Sequence, residues 1–81
     1  MSRDVQFDTF QISIRRARSV RVGVWSCLSR FPEIEAVLAT SRPDVLEIHY
    51  RADAARPAAW LGALSAAGYD ALGPGGRAAV A

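Results

Sequence analysis

An α+β domain with the element order βαββαβ is the fold class this sequence predicts, and three observations carry the prediction. Apolar Phe10, Ile12 and Ile14 alternate with polar Gln11, Ser13 and Arg15, the period of two that marks a strand with one buried face. Val20, Val24, Cys27, Leu28 and Phe31 then recur at the spacing that lines one face of a helix. Two further β-rich stretches, Ile34 to Thr40 and Val45 to Arg51, flank Ser41-Arg42-Pro43-Asp44. Pro fixes φ there and Asp can bond back to the backbone, so a hairpin is the natural connection.

The elements follow in order. Strand one is expected at about 7 to 14. Helix one is expected at roughly 19 to 31, with Ser19 placed to cap it and Pro32 to stop it. In the second hairpin arm Leu46, Ile48 and Tyr50 share one face while Glu47, His49 and Arg51 share the other, and only the first set belongs beneath helices. Asp53 to Pro57 lead into helix two, because Pro is harmless in a first turn whose N–H groups lack partners anyway. Trp60, Ala63, Leu64 and Ala67 supply its buried stripe, and Gly68 ends it. Tyr69 to Leu72 suffice for a short last strand. Two helices on one face of a four-stranded antiparallel sheet make the ferredoxin-like sandwich. Residues 1–72 form that single domain, and residues 73–81, rich in Gly, Ala and Pro, read as a flexible tail.

Composition narrows the function classes. With 81 residues, 51% of them hydrophobic, there is material for one modest core and no second domain. All ten basic residues are Arg and Ala is the commonest residue, a pattern that a GC-rich coding bias explains without function. A net charge of +2 is too slight to argue a nucleic-acid or membrane partner from the overall field. A lone Cys27 excludes an internal disulfide or thiolate pair. No apolar run of signal-peptide or membrane-spanning length occurs, so a cytoplasmic location is expected.

Enzyme motifs are absent: there is no Ser-His-Asp or Cys-His arrangement and no glycine-rich loop followed by a helix. Glu33 and Glu35, two apart on an extended segment, read as a solvated strand face. An RNA-binding sheet of this topology would display stacking aromatics, whereas the outward positions counted on strands one and three are Gln11, Ser13, Glu47 and His49. The expectation is therefore a protein without catalytic activity, cofactor or nucleic-acid partner.

Three segments narrow the fold further. Cys27-Leu28-Ser29-Arg30-Phe31-Pro32, Leu46-Glu47-Ile48-His49-Tyr50 and Ala67-Gly68-Tyr69 resemble, respectively, the end of the first helix, the second hairpin strand and the exit from the second helix of the heavy-metal-associated domain family. The resemblance runs from Phe10 to Leu72. Members of that family carry Gly-Met-x-Cys-x-x-Cys between strand one and helix one, where two thiolates bind Cu(I) or another soft ion. Counting back from Leu28 and Phe31 puts those cysteines at Ala17 and Val20 and the Gly-Met at Ile14 and Arg15. Every diagnostic position differs, and neither Ala nor Val can ligate a metal.

What the loop holds instead is basic: Arg15, Arg16, Arg18 and Arg21 within seven residues. A strand-to-helix junction of this kind can hold carboxylates through guanidinium forks, and the resemblance implies that this edge faces partner domains. The expected function is that of a heavy-metal-associated-like adaptor without its metal site, docking through these arginines on an acidic patch of a larger protein such as a metal transporter or metalloenzyme. One alternative is a divergent copper chaperone that binds metal across two chains through Cys27 or His49. A second is a small-ligand-binding regulatory domain, and a third is a homodimer paired through its open sheet or edge strands. Within one chain Cys27, on the buried stripe of helix one, and His49, on the open face of strand three, point away from each other.

Overall fold

The structure is a computed structural model that describes residues 6–73. Its elements run β1 Phe7–Ile14, α1 Ala17–Leu28, β2 Ile34–Ala39, β3 Val45–Arg51, α2 Pro57–Ala66 and β4 Ala71–Leu72, with a single 3-10 turn at Ala52–Ala54. The four strands form one antiparallel sheet in the order β2-β3-β1-β4. This is the ferredoxin-like α+β fold. No helix among the described residues is long and apolar enough to cross a membrane.

The alternation in β1 and β3 places the core. Phe10 pairs across from Ile48 and Ile12 across from Leu46, and Ile12, Ile14, Leu46, Ile48 and Tyr50 are buried beneath the helices. Ala17, Val24 and Leu28 of α1 and Trp60, Leu61 and Leu64 of α2 cover them. In β2, Ile34 and Val37 are both buried although three residues apart. A register shift between Ile34 and Ala36 makes that possible, because one extra residue in a strand flips the faces beyond it. Trp60 is the centre of the core: Phe10 meets it edge-on at 5.8 Å and Tyr50 packs at 4.8 Å, tilted by 60°.

Helix ends depart from expectation at two places. The first helix begins at Ala17, two residues before Ser19, and its N-cap is Arg16 with φ 56° and no side-chain cap. Ser19 lies inside the first turn, its N–H donating to Arg16 O. The apolar spacing continued through Ala17, which is wholly buried, so burial outweighs the capping preference. The helix stops at Leu28 rather than Phe31; Phe31 packs against the core from the turn that follows.

In α2 the expected stripe is shifted: Leu61 is buried and Ala67 is exposed. The exit conforms. Gly68 has φ 93°, its N–H donates to Ser65 O at 3.0 Å, and Tyr69 N–H donates to Leu64 O at 2.9 Å. That pair of bonds is a Schellman motif, which needs a residue free to adopt the left-handed conformation. In the hairpin turn the side chain that bonds back is Thr40, not Asp44. Its hydroxyl accepts from Arg42 N–H at 3.1 Å and donates to Val45 O at 3.0 Å. The last strand covers only Ala71 and Leu72, and residues 74–81 of the expected tail lie outside the described residues.

Candidate functional site

The β1–α1 junction turns on Arg15 and Arg16, and both side chains are exposed. A non-glycine residue in the left-handed region costs roughly 1–2 kcal/mol, so Arg16 is held there by what surrounds it. The tether is Ala17, buried immediately after it, and Ile14, buried immediately before. Between these anchors the chain must reverse within two residues, and both arginines are driven outward. Val20, one turn along α1, packs against the same core. The two positions where the family resemblance places metal ligands are thus apolar contacts of the core and its rim.

A shallow depression of about 530 Å³ opens beside this turn, lined by Ile14, Arg15, Arg16, Val20, Gly68, Tyr69 and Asp70. Its floor is apolar and its charged groups are Arg15, Arg16 and Asp70. Tyr69 reaches from the α2 exit to α1, where its hydroxyl rests against the α carbon of Gly23 so closely that any β carbon at that position would overlap it. Gly23 therefore sits in mid-helix for the sake of this close approach, at a cost of about 1 kcal/mol in helix propensity.

Arg18 and Arg21 lie one turn apart on the side of α1 that faces the edge strand. Arg18 Nη2 donates to Thr40 O at 3.1 Å, and Arg21 Nη1 reaches Val37 O at 3.5 Å. The four arginines thus divide, two at the turn and two along the β2 edge. Among the described residues none of the four makes an ion pair. The first turn of α1 contains no acidic residue, so no carboxylate of the helix itself offsets the positive end of its dipole, which lies beside cations.

Cys27 and His49 lie on opposite sides of the sheet. Cys27 is partly buried between the helices, with Sγ 3.4 Å from Ala63 O. His49, opposite Thr9 of β1 and Ala36 of β2, is half-buried on the open face, where Nε2 is 2.7 Å from Glu47 Oε1. No group of three or more His, Cys, Asp or Glu side chains among the described residues is arranged to hold a metal ion. Phe7 shares the open face with Gln11 and Ser13 and is exposed, an aromatic that the count of outward positions omitted.

The reading of Glu33 as a solvated strand residue is overturned. Glu33 is 3% exposed. Arg56 grips its carboxylate with both arms of the guanidinium, Nη2 to Oε1 at 2.7 Å and Nε to Oε2 at 3.0 Å, while Trp60 Nε1 donates to Oε2 at 2.7 Å. The bonds from Arg56 outweigh the burial that pushes the other way and, with Trp60, lower the Glu33 pKa to about 2. Arg56 also lies over the Phe31 ring, 5.2 Å from its centroid. A carboxylate so thoroughly satisfied neither gives nor takes a proton near neutrality; it ties the start of β2 to the first turn of α2. The sequence did hold a clue, because a tryptophan on a buried stripe needs an acceptor for its N–H.

No protein-family model, curated protein or solved structure matches the chain. What stands is a small βαββαβ domain with a four-stranded antiparallel sheet.

Proposed function

We propose that this domain is a non-catalytic adaptor, similar in scaffold to heavy-metal-associated domains, that docks on an acidic patch of a larger protein through Arg15, Arg16, Arg18 and Arg21. One observation carries the reading: the four arginines surround the N-terminal half of α1, and no carboxylate among the described residues pairs with them. Carboxylates from a partner would supply charge-assisted, two-pronged hydrogen bonds and relieve the repulsion between these cations and the helix dipole. The backbone carbonyls that receive Arg18 and Arg21 hold those side chains in place beforehand, which reduces the entropy lost on docking.

The resemblance points to partners such as a metal transporter or metalloenzyme, reached without copper. Ala17 and Val20 at the ligand positions support a metal-free role, as does the participation of both in core packing. The test is charge reversal. Immobilised wild-type protein should capture a defined partner whose binding survives chelation of copper, and the triple variant Arg15→Glu, Arg16→Glu, Arg18→Glu should lose it. Equal capture by the two proteins would remove the docking reading.

A further inference from the structure

We infer that the outward face of α1 recognises an acidic protein segment that carries apolar anchors, rather than a uniformly charged surface. The inference rests on the docking reading and gives its partner a chemical class. Arg18, Val22, Trp25 and the C-cap Ser29 recur at four-, three- and four-residue steps, and all are exposed, so they form one solvent-facing stripe along the flank of α1, beside rather than among the buried Ala17, Val24 and Leu28. Val22 is 66% and Trp25 37% exposed. Large apolar side chains side by side on a helix, flanked by Arg18 and by Arg21, are the composition of an interface centre rather than of a solvated face.

Charge defines the occupant. Residues 9–32 contain Arg15, Arg16, Arg18, Arg21 and Arg30 and no Asp or Glu, so the stretch holds five of the ten basic residues and none of the eight acidic ones. It therefore carries +5 against −3 for the remainder of the chain. A second copy presenting this same face, as a two-fold dimer would, brings the same cations and is repelled. Strand addition at the neighbouring β2 edge is obstructed, because Arg18 and Arg21 already bond the Thr40 and Val37 carbonyls there. A bilayer would find only two apolar side chains to insert on this face, Val22 and the partly exposed Trp25, too little apolar area for stable anchoring. An acidic segment with one or two aliphatic or aromatic side chains satisfies both halves of the face: the anchors cover Val22 and Trp25, and the carboxylates meet the guanidinium groups.

The test uses the full chain and three probes: a synthetic peptide of Asp and Glu interspersed with Leu and Phe, poly-glutamate of equal length, and vesicles of phosphatidylglycerol and phosphatidylcholine. The amphipathic peptide should bind more tightly than poly-glutamate. Val22→Ser, and separately Trp25→Ser, should weaken it by on the order of tenfold, with far-UV circular dichroism showing that each variant is folded; Val22→Ser remains decisive if Trp25→Ser does not fold. Arg18→Glu should weaken both peptides. Peptide binding that depends on the arginines but not on Val22 would overturn this inference and leave docking standing. Binding indifferent to both would overturn both. Vesicle binding stronger than peptide binding would replace the protein segment with a lipid surface.

Discussion

Replacing Glu33 by Gln should remove most of what ties β2 to α2, and the loss should fade as the solution is acidified. The carboxylate accepts three hydrogen bonds, two from Arg56 and one from Trp60, and its pKa falls from 4.5 to about 2. At 1.36 kcal/mol per pKa unit that corresponds to roughly 3 kcal/mol. Since the Arg56 side chain is 52% exposed, water screens part of the attraction, and about 2 kcal/mol is the contribution expected at pH 7. The folded-state pKa is depressed, so the contribution is complete above pH 4.5 and disappears as pH falls toward 2. Glutamine has the shape of the protonated acid but turns one donor toward donors. Urea unfolding of wild type and Glu33→Gln should therefore differ by about 2 kcal/mol at pH 7 and by less than half of that at pH 3. Other carboxylates titrate in both proteins and cancel in the difference. A difference that stays constant between the two pH values would show that the ionised Glu33 carboxylate is not what holds Arg56 and Trp60 in place.

Three further outcomes follow from local geometry. Gly23→Ala should destabilise by about 1–3 kcal/mol through overpacking against Tyr69, despite the better helix propensity of Ala; adding Tyr69→Phe should recover part of the loss in a thermal-melt double-mutant cycle, since the hydroxyl is the nearest obstacle. Arg16→Gly should raise stability by about 0.5–1 kcal/mol in urea titrations, the left-handed strain relieved minus the backbone entropy of Gly, while capture of an acidic partner declines. Stability and binding would then move in opposite directions. Cys27→Ser should lower stability by on the order of 1 kcal/mol, because it places a hydroxyl where a weakly polar thiol packs between the helices, and should leave copper content unchanged by elemental analysis.

The sheet was legible because strand alternation is a direct consequence of burial on one face. Ile12, Ile14, Leu46 and Ile48 point inward as their spacing requires. Gly68 was legible for a similar reason, a left-handed position demanding a residue without a β carbon. Ser19 misled because a capping residue is a local preference, and the burial of Ala17 extended the helix past it. Glu33 misled because its partners lie 23 and 27 positions away in sequence; no local pattern distinguishes a buried, paired carboxylate from a solvated one. The four arginines were found as a run, but their division into a turn pair and an edge pair follows from where β2 sits beside α1, which a linear reading does not contain.

The proposed docking through the β1–α1 edge goes with the packing of Ala17 and Val20, the positions aligned with metal ligands, into and against the core. The most direct single measurement is an anaerobic native mass spectrum of the purified chain after exposure to buffered Cu(I), repeated with a stoichiometric acidic peptide. The expected result is a metal-free chain that takes up the peptide. A dimer that retains copper and ignores the peptide would contradict docking through this edge and transfer the function to Cys27 or His49.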